Sequence, residues 1–176
     1  GVVSGRSRVG QLMLGSERFR GKGNGLGGVR FDLVGIQAVE SMNQIRAEGS
    51  KIDPTFIIIG EGWNMGSILD SELKANQVNA YQMPGIAHFS DGIRDGIKGS
   101  VFNSSDNGWA TAKTSARNQV MEGIVGQINF GGGIGGQWGE IAPSQSVSYV
   151  EAHDNLTLHD KLVASVPGAS EDDLGR

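Results

Sequence analysis

The feature that most constrains this chain is the run Phe56-Ile57-Ile58-Ile59, closed by Gly60-Glu61-Gly62-Trp63. Four large apolar residues without a polar break read as a strand buried on both faces, as in a parallel sheet. Such folds keep their chemistry outside the carboxyl ends of the strands. Glu61 stands at that end, between two residues without side chains, where a ligand can reach it. The plainer reading is a solvated Glu in a strand-to-loop turn, and this stretch alone does not choose between the two.

The sequence on either side favours the first. Val29-Arg30-Phe31-Asp32-Leu33-Val34 reads as a short strand carrying a carboxylate. Ile36, Val39, Met42 and Ile45 then recur every three residues, a helical pattern with Gly49 as its stop. Asp53-Pro54 is a turn, and the Phe56–Glu61 strand follows. A strand, a helix and a strand of this length make a right-handed parallel crossover. It places Asp32 and Glu61 on neighbouring strands near one sheet edge. Residues 64–84 read as polar loop with short helical pieces. Ile86-Ala87-His88-Phe89 is a further strand, and Asp91–Lys98 opens a helix. Another helix is expected over about 112–122. Ile124–Phe130 fits a strand or a buried helix, and Gly131–Gly139 a flexible loop. Ser146–Val150 is the last strand, running into Glu151-Ala152-His153-Asp154-Asn155. Three strand ends thus carry acids: Asp32, Glu61 and Asp154. Strands alternating with helices predict an α/β fold with a parallel sheet, and several strand ends sharing one site is how a (β/α)8 TIM barrel builds its catalytic face.

Composition narrows the function classes. The formal charge is −4, which disfavours nucleic acid as a partner. Cysteine is absent, removing disulfides, zinc-thiolate sites and thiol nucleophiles. No apolar run approaches the roughly 20 residues of a membrane span, and no signal-peptide core is visible, so the compartment stays open. Residues 1–28 hold nine glycines and five basic residues against one acid; from Val29 onward acids outnumber bases 18 to 10. The first segment shows no apolar period and reads as mostly irregular. With 29 glycines in 176 residues, the patterns Gly23-x-Gly25-x-x-Gly28 and Gly131-x-Gly133-x-x-Gly136 are expected by chance. Neither follows a strand and opens a helix, as dinucleotide binding requires.

Two carboxylates converging on a glycosidic bond can hydrolyse it: one attacks the anomeric carbon, the other protonates the leaving oxygen. A retaining mechanism needs them about 5–5.5 Å apart, which neighbouring strands can supply. Arg30 alternates onto the face of Asp32, where a fixed positive charge would keep that carboxylate ionised for attack. The competing reading is a structural Arg–Asp pair. His153-Asp154 admits two readings: sugar-binding groups, or half of a metal pair with His159-Asp160. Three histidines and no cysteine make the metal reading weak, and no metal site is assigned. Trp63 is either a platform for a sugar ring or a core residue. His88 reads as a buried core histidine and His159 as a helix residue.

Val29-Arg30-Phe31-Asp32-Leu33, Gly60-Glu61-Gly62-Trp63 and Tyr149-Val150-Glu151-Ala152-His153-Asp154-Asn155 resemble, in order and spacing, three signature regions of the α-amylase superfamily, glycoside hydrolase family 13. Gly-Glu-Gly-Trp with His-Asp-Asn-x-Thr-Leu is similar to the type I pullulanase branch, as is the stretch from Tyr81-Gln82-Met83-Pro84 to Lys98-Gly99-Ser100. The resemblance covers roughly residues 29–176. It implies a partial catalytic domain, about strands 4 to 7 of a TIM barrel, with residues 1–28 a divergent segment before strand 4. It implies a retaining debranching hydrolase cutting α-1,6 links in pullulan, amylopectin and limit dextrins. By the resemblance Asp32 is the nucleophile, Glu61 the general acid/base and Asp154 the carboxylate that steadies the distorted sugar. Arg30, Trp63 and His153 match substrate-binding positions. The chemistry needs no cofactor; a structural calcium ion in a full-length enzyme is compatible, but no calcium ligand can be placed here. The family's first signature is missing, and Asn64 stands where the branch often has Asp. The 176-residue chain alone is therefore expected to be inactive or poorly folded. Rival readings are an α-1,4-acting amylase or neopullulanase, a non-catalytic carbohydrate-binding relative and, more distantly, a metal-dependent hydrolase.

Overall fold

The computed structural model describes residues 16–20, 26–136 and 138–175. The chain divides into two units, residues 1–88 and 89–176. In the first, β1 (Ser16–Arg20) pairs antiparallel with β2 (Leu26–Phe31). Then come α1 (Val39–Ile52), β3 (Ile57–Gly60) and β4 (Ile86–Phe89). β2 pairs parallel with β3, and β3 with β4. The fold is mixed α/β around a parallel sheet and holds the expected strand–helix–strand unit, but its first strand ends at Phe31 rather than Val34: Asp32 lies just past it, and Val34–Ile36 is a 3-10 turn.

Register decides what each sheet face carries. Val29 pairs with Ile58 and Ile58 with Ile86, so these three share one face. They form the core with Phe31, Val34, Met42, Phe56, Ala75 and Met83. From α1, Met42 is fully buried, and Val39 and Ile45 pack against this cluster, as their spacing predicts. Arg30, Ile59 and Ala87 pair across the opposite face. Asp32 and Glu61 continue that face by alternation, so the candidate site lies across the sheet from the core.

Several expectations are corrected. Phe56–Ile59 is not buried on both faces: Ile58 is 1 % exposed, but Ile57 is 56 % exposed. On the face opposite Ile58, Ile57 opens to solvent and Ile59 is only partly buried, a difference between two faces that an unbroken apolar run cannot report. Residues 1–28 read as irregular, yet Ser16–Arg20 is a strand; the backbone ladder to β2 sets it, not an apolar period. Residues 1–15 and 21–25 lie outside the described residues. Gly49 does not stop α1, which runs to Ile52. A Cβ there would meet Phe56 Cδ1 at 2.5 Å, so the glycine makes room for the ring. Gly49→Ala should therefore destabilise. Overpacking costs about 1–3 kcal/mol, against about 1 kcal/mol gained in helix propensity. The net loss is read from the urea midpoint.

The second unit holds α2 (Asp91–Lys98), α3 (Arg117–Ile124), the hairpin β5 (Asn129–Gly131) and β6 (Ile134–Gly135), β7 (Ser146–Val147), α4 (Leu158–Ser165) and α5 (Glu171–Leu174). Ser90 caps α2, its hydroxyl accepting from Ile93 N at 3.4 Å and from Gln127 Nε2 at 3.0 Å. Helix is expected over about 112–122, but that stretch begins as a 3-10 turn, Thr114–Ala116, before α3. Ile124–Phe130 is not one element: Ile124 ends α3 at 71 % exposure, and only its last residues, Asn129 and Phe130, are strand, in β5, with Phe130 66 % exposed. The expected loop Gly131–Gly139 contains a hairpin turned by Gly132 and Gly133, both at positive φ. The last strand is two residues long, not five. No described helix is long and apolar enough to cross a membrane.

Candidate active site

β2 and β3 deliver two carboxylates to one guanidinium. Arg30, 6 % exposed, projects from the site face of β2. Its NH2 donates to Glu61 Oε1 at 2.7 Å, and its NH1 pairs with Asp32 Oδ1. Glu61 is buried at 8 % exposure; the Asp32 side chain remains 38 % exposed. Of the two acids, the one expected to attack is the one open to solvent.

Backbone hydrogen bonds hold this geometry. Leu33 N donates to Glu61 Oε2 at 3.0 Å. Leu33 reaches that position in a left-handed conformation, φ 47 and ψ 40, an arrangement that costs energy for a non-glycine residue and tends to mark functional turns. Glu61 N donates to Phe31 O at 3.1 Å, Gly35 N to Glu61 O at 3.0 Å, and Gln77 N to Gly62 O at 2.9 Å. A Cβ on Gly35 would collide with Trp63 O, so that approach needs glycine. Sequence reasoning missed the Leu33 amide and Gly35. The signal was Gly35 three residues beyond Asp32, but its partner is 28 positions away in the sequence.

Both oxygens of Glu61 accept hydrogen bonds here. Donating a proton to a leaving group requires one of these contacts to be exchanged. Trp63 is half-buried just past the acid. His88 is fully buried, as its apolar surroundings predict. A Cβ on Gly62 would meet His88 Nδ1 at 2.5 Å, so this ring packs under the turn that carries Glu61. Burial pushes His88 down to about 4.

The structure thus brings Arg30, Asp32 and Glu61 together in the first unit. His153 and Asp154 belong to the second, where both are exposed on a turn after β7. Tyr149, ahead of that turn, meets Phe89 edge-on at 5.2 Å between ring centroids and accepts from Arg94 at 2.8 Å. Burial pushes the Tyr149 phenol up to about 12. Among the described residues no three His, Asp or Glu side chains gather to hold a metal ion.

The arrangement defines a parallel α/β protein with paired acids at adjacent strand ends. Relatives of this kind are found. The chain is 37 % identical over 145 residues to a pullulanase of Bacillus subtilis, covering 80 % of this chain and 19 % of that protein. It superposes on the crystal structure of the apo pullulanase from Paenibacillus barengoltzii with a TM-score of 0.81 and 44 % identity, over 88 % of this chain and 23 % of that one. The same pullulanase in complex with maltohexaose and α-cyclodextrin gives 0.81, 44 %, 88 % and 24 %. No protein-family model matches. The chain is a relative of pullulanases over a stretch about a fifth of their length.

Proposed function

We propose that this chain is part of a debranching glycoside hydrolase that cleaves α-1,6 links in pullulan and branched starch with retention of configuration. Asp32 attacks the anomeric carbon. Glu61 protonates the leaving oxygen and then activates water. Asp154 steadies the distorted sugar, while Arg30, Trp63 and His153 contact substrate. The reaction uses two carboxylates and water, with no cofactor. The observation that carries this reading is the single guanidinium shared by Asp32 and Glu61 at the ends of two parallel strands. The likeness to a pullulanase that binds maltohexaose supports an α-glucan substrate. The parallel run β2–β3–β4, with its core on one face, supports a partial (β/α)8 barrel; the antiparallel β1 is not an element of that barrel's repeat.

The test uses the longer protein that carries this chain. It should hydrolyse pullulan at its α-1,6 links and release product in the α configuration. Asp32→Asn should lower kcat by on the order of 10^4-fold or more. Hydrolysis confined to α-1,4 links, an inverted product or an active Asp32→Asn enzyme would each refute the assignment.

A further inference from the structure

Three buried cations of the second unit grip the segment that carries His153 and Asp154. Arg94 and Lys98 lie four apart on α2, hence on one helix face. Arg94 NH1 donates to the Tyr149 hydroxyl at 2.8 Å, on the near side of the turn. Lys98 Nζ donates to the Leu156 carbonyl at 2.9 Å, on the far side. Leu158 N closes the loop on itself by donating to Glu151 Oε2 at 2.6 Å. One turn into α4, Lys161 Nζ donates to the carbonyls of Asn103, Ser104 and Asp106 at 2.6, 2.9 and 2.8 Å. All three ammonium hydrogens are thus used within a cage of backbone carbonyls. The Asp106 carboxylate fixes the cage by accepting from Ser100 N at 2.9 Å and from Lys113 at 2.8 Å.

Lys98 and Lys161 are 0 % and 1 % exposed. Fully buried lysines are rare, because removing an ammonium from water is costly unless its bonds are made elsewhere. Here the bond of Lys98 ends on the backbone just past the turn, and those of Lys161 tie the helix that follows the turn to the backbone of residues 103–106. His153 and Asp154 are exposed, and among the described residues their side chains make no hydrogen bond or ion pair that would fix them. Their place is set by what holds the backbone on either side.

We infer that Lys98 and Lys161, with Arg94, are positioning residues that hold the His153-Asp154 turn in register for an α-glucan, a role that rests on the debranching reading. None of the three touches substrate; they act through Asp154 and His153.

The test compares Lys98→Met and Lys161→Met in the longer protein, alone and combined with Asp154→Asn. Each single variant should lower kcat on pullulan by about a hundredfold with KM changed less than about threefold, the mark of a misplaced reacting geometry. Amide hydrogen exchange over residues 150–157 should quicken about tenfold, while that of residues 26–61 stays as it was. On the Asp154→Asn background each lysine variant should cost far less further activity than in the unmodified protein, because only His153 is left to be positioned. Tyr149→Phe deletes only an acceptor hydroxyl and covers the case in which a lysine variant does not fold; it should lose about tenfold in kcat. Folded lysine variants with unchanged kcat, or losses that add to that of Asp154→Asn, overturn the inference. An unmodified protein inactive on every α-glucan sinks the debranching reading before any variant is made. Positioning then rests on exchange alone, and unchanged exchange at 150–157 refutes it.

Discussion

Arg30→Met should be among the most damaging single substitutions, lowering stability by about 3–5 kcal/mol. The methionine fills much of the arginine's volume, so lost packing is the smaller part. The larger part is Glu61, which is 8 % exposed and loses the guanidinium at 2.7 Å. Leu33 N would be its remaining donor. Asp32 matters less, because its half-open side chain can turn to water. Glu61→Gln in the same background should recover part of the loss, since a neutral amide costs far less to bury. The interaction energy from this double-mutant cycle should exceed about 1 kcal/mol. Urea unfolding of the four proteins reads it. An Arg30→Met protein as stable as the parent would mean that the bridge contributes nothing.

The second large effect is on acid stability. His88 is fully buried, and its pKa falls from an ordinary 6.5 to about 4. The folded state thus favours the neutral ring, while the unfolded chain takes up a proton near 6.5. Between those values the unfolded state binds more protons, so stability must fall as the pH drops through this window. Each pKa unit is worth about 1.4 kcal/mol, which makes the loss from pH 7 to pH 4 about 3 kcal/mol. The contribution is intact above 6.5, and the loss levels off below 4. His88→Phe keeps a ring of similar size against Gly62 without the titration. Its stability should therefore vary less with pH across this window than the parent's. Parallel pH profiles for the two proteins would refute the assignment. Acid would also loosen the turn that carries Glu61, because the ring that charges lies directly beneath it.

What could be read from the sequence was whatever depends on near neighbours. The spacing of Val39, Met42 and Ile45 fixes the buried side of α1, and the apolar run before Glu61 fixes β3 and its direction of exit. Arg30 two residues before Asp32 predicts a shared face, and the ion pair forms there. What stayed hidden depends on distant partners. Gly49 reads as a helix stop because the ring it accommodates, Phe56, enters only after the chain has turned back. Arg30 reads as the partner of Asp32 alone, because its bond to Glu61 spans 31 positions. β1 carries no apolar signature since its place is set by backbone pairing with β2. Lys98 and Lys161 look like ordinary surface charges until the carbonyls they hold, 55 to 58 residues away, are in place.

The central claim is that Asp32 and Glu61, joined through Arg30, are the nucleophile and acid/base of one glycosidase site. Incubating the longer protein with an activated fluoroglucoside, digesting it and locating the added mass tests this most directly. The account predicts a covalent sugar on the peptide containing Asp32, accumulating further in the Glu61→Gln variant because its hydrolysis is slowed. A label on a different carboxylate, or none in a preparation that still hydrolyses pullulan, would contradict it.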